Sequence, residues 1–327
     1  MAKLPAKATT ALVGGGRQLP ADENPCAVYL SSLSENGQRA MQGRLRGVAE
    51  MLGCEDLRQV AWHKMRYQHV QAVVAALRRS GQAPATVNLS LAALRGVAKA
   101  AMNLGHMTAE EYQRVMNVPL MRGERVPSGR ALPPGEIAAL MDACAKDEGP
   151  AGVRDAAIIG LLFAGGLRRA ELVTLDLADY DGETRKLLVR GKGNKQREIF
   201  VNDGAADALA DWVIVRGDED GPLFVPINKG GALQYRRMST QAVYNMLHKR
   251  ADEAKVKPPT PHDFRRTFVS ELLDRGADIA VVQRLAGHAN IQTTARYDRR
   301  GDEVLKKAVG LLHLPYQRRE LTAEGAG

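Results

Sequence analysis

The stretch Thr260-Pro261-His262-Asp263-Phe264-Arg265-Arg266-Thr267 starts a helix and loads its first turn with cations. Thr260 suits an N-cap, and Pro261 takes the first helical position, where its missing N–H costs nothing. His262 and Arg265 are three apart, so both side chains leave the same face near that end. A helix N-terminus offers backbone N–H groups to an anion, and a phosphate docked here would meet two side chains as well. The helix should run to about residue 275, with shorter ones near 279–286 and 291–297. Between them, Leu285-Ala286-Gly287-His288 places a glycine stop before an exposed histidine. Thr293-Thr294-Ala295-Arg296-Tyr297 closes the series. Its flanks, through Asp298-Arg299-Arg300, are too polar for a core, which makes Tyr297 a functional rather than a packing residue.

Working back from this stretch, helices are expected near 204–216 and 239–254. Before them, Asp181-Gly182 and Gly191-Lys192-Gly193-Asn194 are turn signals around the β-type runs Leu187-Leu188-Val189 and Ile199-Phe200-Val201, so a small antiparallel sheet is expected. Lys192 sits at a hairpin tip between glycines that let the turn approach another backbone closely; Lys195 is its nearest competitor. Asp155 to Phe163 is nearly all apolar and should be a helix buried on every side. Gly165-Gly166-Leu167-Arg168-Arg169-Ala170-Glu171-Leu172 follows it directly. An arginine where a buried helix turns back keeps its charge at the edge of the core and offers a planar fork to phosphate oxygens. Pro133 and Pro134 open a further helix through Leu140 to Cys144.

Residues 121–130 break the periodicity with Pro, Gly and charge and read as a linker. On either side lie a helical unit, 21–120, and a second unit, 131–327; residues 1–20, rich in Ala, Gly and Pro, read as a disordered arm. In the first unit apolar residues recur at spacings of three and four: Val28, Leu30 and Leu33, then Met41, Leu45, Val48 and Leu52, then Val70, Val73, Val74 and Leu77. A last set, Leu89 to Ala101, takes Thr86 as its N-cap, giving four or five short helices in all. Arg39, Arg44, Arg46, Arg78, Arg79, Arg95 and Lys99 on those helices could line one surface facing a polyanion.

The 327 residues exceed what one core usually supports, which agrees with two domains. A net charge of +9 points to a polyanionic partner. Residues 1–126 hold 16 Lys and Arg against 9 Asp and Glu, while the rest hold 30 against 28. The first unit should therefore grip phosphates, and the second keeps a few cations for chemistry. Cys26, Cys54 and Cys144 lie far apart without a CxxC pair, as expected of a reducing cytoplasm. No leader or membrane span is expected, because no apolar run is long enough. Gly14-Gly15-Gly16 lacks the Gly-Lys-Ser/Thr half of a phosphate loop.

Taken together, Arg168, Lys192, His262, Arg265, His288 and Tyr297 resemble the tyrosine recombinase (phage integrase) family, over roughly residues 20 to 312. The Gly-Leu-Arg-x-x-Glu-Leu pattern selects Arg168 over Arg169 and makes Glu171 its orienting partner. The resemblance implies a mainly α fold with a small antiparallel β-sheet, arranged as a two-domain DNA clamp: a helical, SAM-like core-binding domain and a catalytic domain. It implies a site-specific DNA recombinase that works without ATP through a 3′-phosphotyrosine intermediate. Tyr297 would attack, His262 would accept its proton, and Arg168, Arg265 and a histidine would neutralise charge growing on the phosphate. Lys192 would protonate the departing 5′ oxygen.

The implied partners are double-stranded DNA with specific recombination sites and a homotetramer assembled on it. An apolar stripe, Val304, Leu305, Ala308, Val309, Leu311 and Leu312, would dock into the neighbouring subunit. No metal or other cofactor is expected, since the acidic residues are not clustered and the cysteines lie far from the histidines. Two alternatives share the residues: a type IB topoisomerase relaxing DNA at one site, and a non-catalytic DNA-binding regulator of the same fold.

Overall fold

The computed structural model describes Leu12 and residues 19–123, 129–191 and 195–298, with isolated positions among residues 306–315. Lys192, residues 124–128 of the linker, nearly all of the arm and most of the 304–312 stripe lie outside the described residues. The chain divides into two compact units, Met1–Pro127 and Ser128–Gly327.

The first unit is helical: α1 (Pro25–Ser31), α2 (Glu35–Met51), α3 (Tyr67–Arg79), α4 (Pro84–Asn103) and α5 (Ala109–Met116). Its core gathers the apolar faces of these helices, with Leu45, Val70, Val87, Leu91 and Val97 fully buried. Spacings of three and four place such residues along one stripe of each helix, which is why the faces close on one another. Thr86 is not the N-cap of α4: the helix begins two residues earlier at Pro84, whose fixed φ suits the first turn.

The second unit is built around α7 (Pro150–Ala164), which packs against α6 (Pro134–Ala145) and α9 (Asp203–Arg216). Ala157 to Leu162 are buried without a break, as the apolar run requires. The helix starts five residues before the apolar run does, because Pro150 supplies its first turn and Arg154 and Asp155 are buried as a pair. That pair extends to α10 (Thr240–Ala254), where Arg250 donates to Asp155 at 2.8 Å and Asp147 at 2.6 Å.

Short helix α8 (Arg169–Thr174) leads into an antiparallel sheet of β1 (Tyr180–Asp181), β2 (Lys186–Arg190) and β3 (Gln196–Phe200), in that order. Strand β1 adds to the two β runs expected from sequence; its two residues carry no alternation to read. Leu187, Val189 and Ile199 point to the core. Three helices follow the sheet and α10 among the described residues up to 298: α11 (Pro261–Asp274), α12 (Ile279–Ala286) and α13 (Ile291–Ala295). Thr260 caps α11 with Pro261 in its first turn, and Asp263 adds a reciprocal bond, each side chain accepting from the other residue's backbone amide. Tyr297 lies two residues past α13 rather than inside it. No helix among the described residues is long and apolar enough to cross a membrane.

Candidate active site

Helix α12 ends on Gly287, whose left-handed φ of 65° closes the helix and turns the chain toward His288. The last carbonyls of any helix lack intrahelical donors and carry its negative dipole end. Here three guanidiniums meet three consecutive carbonyls. Arg197 Nε donates to Leu285 O at 2.9 Å, Arg265 Nη2 to Ala286 O at 2.5 Å, and Arg168 Nη2 to Gly287 O at 2.9 Å. Arginines from β3, α11 and the N-cap of α8 thereby converge on one helix end.

Each is also held from behind. Arg265, only 5% exposed although it lies on the first turns of α11, donates its second arm to Gly166 O at 2.7 Å. Gly166, at φ 56°, has no room for a side chain because the Phe268 ring stands 2.3 Å from where a Cβ would be. Burial and the nearby Arg168 charge bring the Arg265 guanidinium down to about 10.

Arg168 and Arg197 share Glu171, which is 5% exposed. The carboxylate takes Arg168 Nη1 at 2.6 Å and the Arg168 amide at 3.0 Å, while the Arg197 fork bridges both its oxygens at 3.1 and 2.8 Å. Burial alone would raise Glu171, but the Arg197 fork and the Arg168 amide outweigh it and hold the group at about 2. One negative charge thus faces three cations, and the cluster keeps a net positive charge for an anion.

His288 Nδ1 lies 2.8 Å from Thr294 Oγ1, which fixes the ring and leaves Nε2 available. Burial, followed by the charges of Arg265, Arg168 and Arg197, lowers His288 to about 4. The Tyr297 ring is stacked beside it, 6.3 Å between centroids and 14° from parallel, with the Arg266 guanidinium 5.7 Å from the tyrosine ring. His262 is exposed one turn from Arg265 on α11.

Of the six residues singled out, Arg168, Arg265, His288 and Tyr297 are joined by these contacts, His262 stands one turn before Arg265 at the start of α11, and Lys192 falls outside the described residues. Glu171 bonds Arg168 at its amide and guanidinium and also takes the fork of Arg197, which sequence reasoning missed. The signal was present: in β3, Arg197 shares its face with buried Ile199, an arginine on the inward side of a strand.

In the first unit Arg39, Arg46, Arg78, Arg79 and Lys99 are exposed and Arg44 is half-buried. Arg39 pairs with Glu35 at 3.3 Å. Arg95 departs from the proposed DNA-facing set, because its guanidinium caps α5 through Met116 O at 2.7 Å and Val118 O at 2.6 Å. Among the described residues no group of three or more His, Cys, Asp or Glu could hold a metal ion.

The phage integrase family model matches residues 130–303. The chain is 31% identical to tyrosine recombinase XerC of Proteus mirabilis, covering 88% of this chain and 89% of that protein. It is 34% identical to XerD of Mycobacterium tuberculosis H37Rv, over 76% of this chain and 81% of that one. Among solved structures, the fold is shared with the Tn1549 transposon integrase in complex with circular intermediate DNA (17% identity, TM-score 0.62, 88% of this chain and 99% of that one). It is shared also with XerH recombinase bound to palindromic difH substrate (17% identity, TM-score 0.61, 93% and 99%). The chain belongs to the phage integrase family and is an enzyme of the tyrosine recombinase class, acting in site-specific DNA recombination. The topoisomerase and non-catalytic readings are not favoured.

Proposed function

We propose that this chain cuts and rejoins double-stranded DNA at specific recombination sites with Tyr297 as the nucleophile, working as a homotetramer on DNA. The observation that carries the reading is that Arg168 and Arg265 reach adjacent carbonyls, those of Gly287 and Ala286, immediately before the His288 ring that stacks on Tyr297. The related XerH and Tn1549 integrase structures contain DNA, which supports the same partner here. The excess of Lys and Arg in the first unit agrees with a role in gripping phosphates.

In the proposed reaction the Tyr297 oxygen attacks the scissile phosphorus and its proton passes to His262. Arg168 and Arg265 neutralise the non-bridging oxygens, and His288 donates from Nε2 to one of them as a neutral imidazole. The P–O bond to the 5′ oxygen breaks as Lys192 gives that oxygen a proton, leaving a 3′-phosphotyrosine. The new ester keeps the energy of the old linkage, so the 5′ hydroxyl of a partner strand can reverse the step without ATP.

Nicked suicide substrates test the assignment. The parent should trap a covalent protein–DNA adduct, and Tyr297→Phe should trap none while binding DNA as before. An adduct that persists in Tyr297→Phe would move the nucleophile elsewhere, with Tyr316 the next candidate.

A further inference from the structure

Arg197 makes no hydrogen bond to Tyr297 or His288, yet it has the most complete set of partners in the cluster. All three of its nitrogens are engaged: Nε by Leu285 O, and Nη1 and Nη2 by the two oxygens of Glu171. Its side chain is 13% exposed, compared with 44% for Arg168. It fits closely as well. A Cβ on Gly287 would come within 2.9 Å of Arg197 Nη1, so the glycine that ends α12 also clears the space for this guanidinium.

Two consequences follow from charge and geometry. Glu171 paired with Arg168 alone would cancel the charge that Arg168 needs for a phosphate, whereas a second guanidinium on the same carboxylate restores the surplus. Arg197 also ties three segments that are remote in sequence: β3, the start of α8 and the end of α12. Strand β3 pairs with β2, with Val189 opposite Arg197, so the guanidinium is carried on a strand held by the sheet.

We propose that Arg197 is a positioning residue of the recombination reaction: by gripping Glu171 and the Leu285 carbonyl it sets where Arg168 stands and keeps it available to the scissile phosphate. This rests on the reading of Arg168 as a phosphate ligand given above. Arg197→Lys can fill the space and keep the charge but cannot fork a carboxylate while also reaching a carbonyl. Arg197→Met keeps only the length.

The test measures single-turnover cleavage of nicked DNA carrying either an ordinary scissile phosphate or a neutral methylphosphonate there, which removes the charge that Arg168 would meet. On the ordinary phosphate, Arg197→Met should lose about 100-fold in cleavage rate, the order expected when a reacting group is displaced by about 1 Å, and Arg197→Lys should recover part of it. On the methylphosphonate both defects should shrink, in parallel with that of Arg168→Ala, and adding Arg197→Met to Arg168→Ala should cost little more on either substrate. DNA affinity and melting temperature report folding for every variant. An equal loss on both substrates in well-folded Arg197→Met, or full additivity with Arg168→Ala, overturns the positioning role. If Arg168→Ala itself is indifferent to the substrate, it is the reading of Arg168 that fails.

Discussion

Glu171 meets Arg197 with both carboxylate oxygens while giving Arg168 one oxygen at its guanidinium and the other at its amide. A single buried carboxylate therefore fixes the start of α8, the arginine at its N-cap and the arginine on β3. Few positions outside the reacting groups hold so much of the site in place.

Glu171→Gln should destabilise the protein at pH 7 by about 3 kcal/mol, the order expected when a buried ion pair loses one partner. The amide nitrogen would also face guanidinium donors. Because Glu171 is held at about 2 when folded, against an ordinary 4.5, its contribution is complete above pH 4.5 and is lost as pH falls toward 2. Chemical denaturation of parent and variant should thus show a stability gap that is constant near neutrality and narrows in acid. A gap that does not change with pH would place the effect in packing.

His288 yields a pH prediction from a group that prefers to be neutral. Its folded value of about 4 lies below the usual 6.5, so the unfolded chain binds the extra proton first. Stability from this group is full above pH 6.5 and declines as pH falls to about 4. Titration of the ring followed by NMR should show a midpoint near the lower value. A midpoint at 6.5 or above would mean that neither burial nor the charge of the three arginines acts on the ring.

Lys192 can be tested by the leaving group. With a 5′-bridging phosphorothioate the departing sulfur needs no proton, so Lys192→Ala should be slowed strongly on normal DNA and little on the sulfur substrate. Equal defects on the two would reduce the lysine to a phosphate contact.

The Arg250–Asp155 pair offers a contrast outside the site. Asp155→Ala leaves Arg250, 1% exposed, without one of its buried partners, and should cost about 3–5 kcal/mol in urea unfolding. Cleavage per folded molecule should stay at the parent rate. A selective loss of cleavage in folded protein would connect this cluster to the chemistry after all.

Truncation after Asp302 addresses assembly. Removing the apolar stripe from Val304 to Leu312 should spare binding to one site and abolish pairing of two sites on native gels. A truncated protein that recombines two sites at the parent rate would disprove that role for the stripe.

Much of the site was legible because its chemistry is written in local patterns. Thr260-Pro261 marks the start of α11, and the spacing of His262 and Arg265 sets their common face whatever surrounds them. Helix faces in the first unit follow from apolar spacing for the same reason. What stayed hidden depends on contacts between distant segments. Arg95 read as a surface cation because nothing near it in sequence shows the carbonyls of Met116 and Val118 at the end of α5. From sequence the helix extends to Tyr297, because the turn after Ala295 carries no glycine or proline to announce it. Arg197 was passed over although its place beside Ile199 was readable, since an arginine facing inward makes sense only once Glu171 is known to be there.

The end of α12 engages its three arginines with main-chain oxygens rather than side chains. Substitution at Leu285 or Ala286 leaves those oxygens where they are, so drift at these positions is tolerated as far as the arginines are concerned. Insertion is different. One residue added within α12 turns everything after it by about 100° around the helix axis, given 3.6 residues per turn, and would unseat all three guanidiniums together. The length of this helix, more than the side chains at its end, is what keeps the three arginines seated.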